Sequence, residues 1–191
     1  MGDQLAHARH GVGAVRPHAR PALLVALALA ACGGGATAPA DGAPVEVPGD
    51  VPPQAERVGA ASLGGALGAS ATYSGIRTRE RRVVRGAAEW AELWAQATSI
   101  VLPAPAAPAV DFTRDEVIVA AMGTRSSGGH GIAIEAVYEA DGRRWVVVRE
   151  TSRAASCVVT AALTAPVAAV RVARSALPTV FVERTTVAAC G

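Results

Sequence analysis

A short apolar run that ends in Leu29-Ala30-Ala31-Cys32 decides how much of this chain is left to fold. The run extends from Ala22 to Ala31, with Arg16 and Arg20 upstream and Gly33-Gly34-Gly35 downstream. Basic residues, an apolar stretch and then small residues follow the order of an export signal. About ten apolar residues is roughly half of what a membrane-spanning helix needs, so residues 1–31 read as a removable leader and not as a permanent span. From Gly33 to about Gly68 the chain is rich in glycine, alanine and proline, with Pro39, Pro44, Pro48, Pro52 and Pro53 keeping it extended and short of backbone donors. Such a composition cannot bury enough surface to offset the entropy of ordering, which predicts a disordered tether over residues 32–68, with a reach on the order of 30 Å. One folded domain over residues 69–191 is the remaining expectation.

The last four residues of the run resemble the bacterial lipobox, in which the cysteine is lipidated and becomes the first residue of the mature protein. The resemblance implies lipid attachment at Cys32, with the membrane met through the lipid alone. It places the chain in the cell envelope. In a host with two membranes the outer one is expected, because Gly33 and not an aspartate follows the cysteine. An ordinary export signal in which Cys32 is incidental is the alternative. If Cys32 carries lipid, Cys157 and Cys190 are an even pair in an exported protein, where oxidising surroundings make a disulfide the default. That bond would close a loop of about 34 residues, stabilise by roughly 4 kcal/mol in the chain-entropy account and hold down the C-terminus. Two free buried thiols are the other possibility.

Charge and histidine count exclude several classes of function. Of the 18 basic residues, all arginine, the leader takes Arg9, Arg16 and Arg20, and of the 16 acidic residues it takes Asp3, so the mature chain is close to neutral. Nothing in that balance suggests a nucleic-acid partner. His7, His10 and His18 also leave with the leader, and His130 is then the one imidazole of the mature chain, too few for a histidine-rich metal site. No cofactor motif is present, and neither a cofactor nor a metal is expected.

The folded part reads as α+β: a mainly antiparallel sheet or small sandwich of about seven short strands with one packed amphipathic helix. Ala71 to Arg77 and Arg81 to Arg85 read as strands separated by a polar turn. Over Ala87 to Thr98, Trp90, Leu93, Trp94 and Ala97 recur at helical spacing, with Glu89, Glu92 and Gln96 opposite. The two tryptophans could cradle a ligand, although two such rings a turn apart usually floor a core. Val117 to Met122 is a continuous apolar run suited to a strand buried on both faces. Ile132 to Tyr138 and Arg144 to Arg149 flank Asp141-Gly142, a hairpin turn signal, and Val167 to Val172 and Val180 to Val182 complete the strands.

The stretch with most chemical interest is Gly123-Thr124-Arg125-Ser126-Ser127-Gly128-Gly129-His130-Gly131. A glycine-rich loop cradles phosphate when a helix N-terminus follows it, but here a strand follows. Ser126 or Ser127 with His130 invites a hydrolase reading, although no strand-serine-helix elbow is present and no carboxylate stands close by in sequence. Asp111 and Asp115 are the more distant acids that folding could bring up. Arg125 in an exposed loop of a disulfide-braced β domain would suit a protease inhibitor. The plain reading is a hairpin connection whose glycines occupy positive φ.

Trp90-x-x-Leu93-Trp94, Val110-Asp111-Phe112, the strand ending Met122-Gly123 and Ser127-Gly128-Gly129-His130-Gly131-Ile132-x-Ile134 occur in that order. They are followed by Cys157-Val158-Val159-Thr160, Leu163-Thr164-x-Pro166-Val167 and Val180-x-Val182. This ordered set, covering about residues 70 to 190, resembles the C-terminal domain of the protease complex subunit PrcB family. His130 stands where that family usually has tyrosine. The resemblance implies a lipid-anchored, non-catalytic subunit that binds or stabilises another exported protein, a protease among the candidates. It carries over no catalytic residue. The segment Arg125, Ser126, Ser127, Gly128, Gly129, His130 is the expected interaction loop.

Overall fold

Two runs of apolar side chains, each buried on both faces, build the centre of the molecule. The computed structural model describes residues 50–63, 67 and 71–190. The leader, Cys32 and the first part of the expected tether lie outside the described residues. Strands β1 (Glu56–Val58), β2 (Ala60–Ser62) and β3 (Glu80–Val84) precede helix α1 (Ala87–Ala97). After it come β4 (Asp115–Ala121), β5 (Gly131–Ala140), β6 (Arg143–Arg153), β7 (Val167–Ala173) and β8 (Thr179–Ala188). They form two four-stranded sheets, ordered β1-β5-β6-β8 and β2-β7-β4-β3.

Strand alternation sorts the core into layers. In β4 and β7, Val117, Val119, Ala121, Val167 and Ala169 face the helix, where Trp90, Leu93, Trp94 and Ala97 meet them. The intervening Ile118, Ala120, Ala168, Val170 and Val172 face the other sheet and meet Ile132, Val137, Val146 and Val148. The tryptophan rings pack at 5.5 Å between centroids. Their indole N–H groups donate to Pro108 O at 3.0 Å and Pro105 O at 2.7 Å, so the proline-rich connection lies over the helix and the rings are core, not a ligand cradle. In β5 the register shifts between Ile134 and Ala136. The extra residue exchanges the two faces. Ile132, Ile134 and Val137 thus point between the sheets, while Ala136 and Tyr138 join Val147 and Val182 on the outer face.

Two sequence expectations need correction. Ala71 to Arg77 is not a strand: only Ala71 forms a bridge, with Val167. The hydroxyl of Ser74 takes over the backbone's role, donating to Ala165 O at 2.8 Å and accepting from Ile76 N at 3.3 Å. The tether expected over 32–68 is not a tether throughout, because β1 pairs with β5 and β2 pairs with β7. Val51 and Ala55 cover the outer face of the first sheet, with Val51 3% exposed. Long-range backbone pairing and the buried Val51 hold a stretch whose own strand side chains stay largely exposed. The sheets are mainly antiparallel, as expected for the small sandwich with one packed helix, and only β6 and β8 run parallel, from Arg144↔Thr179 to Arg153↔Ala188. Gaining β1 and β2 and losing the Ala71–Arg77 strand turns about seven strands into eight.

The hairpin at Asp141-Gly142 forms as read, with both residues at positive φ, 50° and 68°. Cys157 and Cys190 are bonded, with their Cα atoms 5.2 Å apart, and the bond ties the end of β8 to the loop after β6.

Candidate functional site

The strand order gives the sandwich one closed and one open side. At the closed side the edge strands β1 and β2 are continuous in the chain through Gly59. At the other side β3 and β8 are edges, each paired on one flank only among the described residues. An arginine–carboxylate clamp holds these two edges together. Arg81 donates through Nε and Nη2 to Glu183, both at 2.8 Å, and through Nη2 to Glu150 at 2.6 Å. Arg79 reaches Glu150 at 3.1 Å and Glu183 at 2.9 Å. Burial alone would lower the pKa of Arg81, but its bonds and charge contacts with Glu183 and Glu150 outweigh that and raise it. Burial likewise pushes Glu150 upward, and the Arg81 hydrogen bonds with the Arg79 and Arg81 charges bring its carboxyl below the ordinary range.

On one flank of the clamp lies the glycine-rich loop. Its course is set by a second loop, 157–165. Arg125 and Thr164 exchange backbone hydrogen bonds at 2.8 and 3.0 Å, Gly128 N donates to Thr160 O at 2.8 Å, and Thr164 Oγ1 donates to Ser127 O at 2.9 Å. Gly129 has φ +79°, and a Cβ there would sit 2.7 Å from Arg153 Cγ and 2.9 Å from Val159 Cγ1, so this turn requires glycine. Beneath the loop is a cavity of about 190 Å³ lined by Met122, Arg125, His130, Glu150, Thr151, Ser152 and Thr185.

The structure brings Arg125 and His130 together at this cavity, but not Ser126 or Ser127. His130 Nδ1 is buried without a hydrogen-bond partner, and no hydrogen bond links it to either serine. The acid among the described residues lining the cavity, Glu150, is already held by Arg79 and Arg81. Asp111 is not at this cavity: its carboxylate accepts from Thr113 N at 3.0 Å and Thr113 Oγ1 at 2.6 Å. Those two bonds, with the charge of Arg114, hold its pKa below the usual value against a small desolvation. Asp115 pairs with Arg171 at 3.5 Å. Arg125 does not stand out from the surface as an inhibitory residue would. Its Nη1 donates to Thr124 O at 3.2 Å and its Nη2 lies 3.9 Å from Glu150. Among the described residues, no group of three histidine, cysteine, aspartate or glutamate side chains is placed to hold a metal ion.

Two large apolar side chains stand exposed beside the loop, among exposed polar neighbours such as Ser126 and Thr160. Val158 is fully exposed and Leu163 is 65% exposed, both on the 157–165 loop that holds the glycine turn. Sequence reasoning missed this pair, the clamp and the groove on the clamp's other flank. The signal it could have used is the alternation Arg79-x-Arg81 beside single glutamates in β6 and β8, a pattern of ion pairs between sheet edges.

The fold and this edge define a small disulfide-braced β-sandwich with one covering helix. Residues 117–173 match the family model described as PrcB C-terminal, in agreement with the resemblance carried by the ordered motifs. The match begins in β4 and ends in β7, and so includes the glycine-rich loop and the loop that holds it. No curated protein and no solved structure matches the chain.

Proposed function

We propose that this chain is a lipid-anchored protein of the cell envelope whose PrcB-like domain is non-catalytic and docks on another exported protein, a protease being the class to which the family's name points. The observation that carries this reading is the PrcB C-terminal match over residues 117–173, which spans both loops at one end of the sandwich. Neither Ser126 nor Ser127 is hydrogen-bonded to His130, which supports a binding role over hydrolysis. Val158 and Leu163 supply exposed apolar contact area beside the turn, as a docking surface needs. The anchoring part of the proposal rests on Cys32 at the end of its apolar run and on the small residues around it.

Affinity capture with the full chain from detergent-solubilised envelopes tests the docking role. The expected result is one recurrent exported protein recovered with the wild type and lost with the double variant Val158→Asp, Leu163→Asp. Both positions are exposed, so the variant keeps its fold. Recovery of the same abundant envelope proteins with both forms contradicts the proposal.

A further inference from the structure

The other flank of the clamp is a groove of about 900 Å³ along the open side of the sandwich, between the ends of β3 and β8. Its floor is apolar, from Val83 and Phe181, and its rim carries Arg85, Arg114 and Arg174. Among the described residues no acidic side chain lines it. The three guanidinium groups differ in how far they are already engaged. Arg85 binds the fully buried Glu116 at 2.8 Å. Glu116 is shared with the buried Arg144, which also binds Glu139 at 2.6 Å, so this set of two arginines with two glutamates is internally balanced. Arg174 spends Nη1 on two backbone carbonyls, Arg85 O at 3.0 Å and Phe112 O at 2.8 Å, and meets no carboxylate. Arg114 makes no side-chain hydrogen bond or salt bridge; its charge is felt by the exposed Asp111 nearby. The groove therefore keeps positive charge in excess. It also holds an unpartnered polar atom, the buried hydroxyl oxygen of Thr179.

Two further features decide what shape of ligand fits. Both walls are edge strands, each paired with a neighbouring strand on one flank only among the described residues, while Arg85 just beyond β3 has its N on Glu89 and its O on Arg174. Free strand edges take an extended chain by adding it as a further strand. The lining takes Thr179 and Phe181 from β8 and Val83 from β3, with Arg85 just beyond the end of β3, a length suited to a few residues of peptide. Guanidinium groups bind carboxylates with fork geometry and more strongly than neutral donors do.

From these features we propose that the groove binds an extended, carboxylate-bearing peptide segment of a protein partner, with its backbone along a free strand edge and its acidic side chains on Arg114 and Arg174. The proposal rests on the reading above that the domain docks a protein. It places a second contact at the end of the open side away from the glycine-rich loop.

The test is a fluorescence titration of the purified full chain with a labelled ten-residue peptide of alternating glutamate and valine. A matched peptide with glutamine for glutamate, and inorganic phosphate, serve as the other probes. The expected result is saturable binding of the acidic peptide, weakened by added salt, with no binding of the glutamine peptide. Arg114→Gln should weaken binding about tenfold, the loss that follows from one charge-assisted hydrogen bond. This variant removes no intramolecular hydrogen bond, so its fold is kept; Arg174→Gln is the second variant and should show a similar loss. Absence of acidic-peptide binding, equal binding of both peptides, or affinity unchanged in Arg114→Gln overturns the proposal. Phosphate binding without peptide binding also overturns it, and reassigns the groove to a free anion. Because the titration needs no captured partner, its failure is separable from failure of the docking role at Val158 and Leu163.

Discussion

Glu150 sits where three parts of the open edge meet: the clamp from Arg79 and Arg81, the cavity beneath the glycine turn, and the guanidinium of Arg125. Its carboxyl is held below the ordinary range chiefly by the arginines, which outweigh its partial burial. A carboxylate with a lowered folded-state pKa contributes stability above its unfolded pKa and loses that contribution as pH falls through the folded value. The clamp should therefore be at full strength at neutral pH and weaken below about pH 4, where the unfolded carboxylate takes up its proton. Urea-unfolding midpoints between pH 7 and pH 3 should fall more steeply for the wild type than for Glu150→Gln. Parallel pH profiles for the two proteins would show that the clamp has no stabilising role. The clamp as a whole was not legible in the sequence, because Arg81, Glu150 and Glu183 come from three strands far apart in the chain, with Arg79 just before the first of them. The two-residue spacing of Arg79 and Arg81 was visible, but not the strands that would face it.

At the scale of elements, what the sequence made legible is what local pattern decides. The spacing of Trp90, Leu93 and Trp94 gave the helix, Asp141-Gly142 gave the hairpin, and the unbroken run Val117 to Met122 gave a strand covered on both faces. What stayed hidden depends on distant partners. The three-residue strands β1 and β2 sit in glycine-, alanine- and proline-rich chain that reads as spacer. They form because β5 and β7 present free edges to them. The parallel pairing of β6 with β8 was likewise hidden, since it follows from the intervening excursion through β7 into the other sheet. The structural role of the segment before β1 is testable through Val51, which is 3% exposed. Val51→Asp in the full chain should lower unfolding free energy by about 2 kcal/mol or more, the burial of one valine plus the cost of a charge placed among apolar groups. Denaturant melts measure this directly, and an unchanged midpoint would return residues 50–55 to the tether.

Taken whole, the molecule is organised by the difference between its two sides. A continuous chain closes one side through β1 and β2, while the side with β3 and β8 is held by charge and keeps its edges free. The candidate interaction loop was legible at sequence level as glycine-rich and exposed, but the apolar residues beside it were not, because Val158 and Leu163 reach it only through the Gly128–Thr160 and Arg125–Thr164 contacts. The central claim is that this end of the sandwich meets another exported protein. Site-specific photo-crosslinking in living cells, with a benzophenone side chain placed at position 163 and a control at the exposed helix position 92, tests it most directly. The account predicts one discrete covalent adduct with an exported protein from position 163 and none from position 92. No adduct at position 163, or the same adducts from both positions, would contradict it.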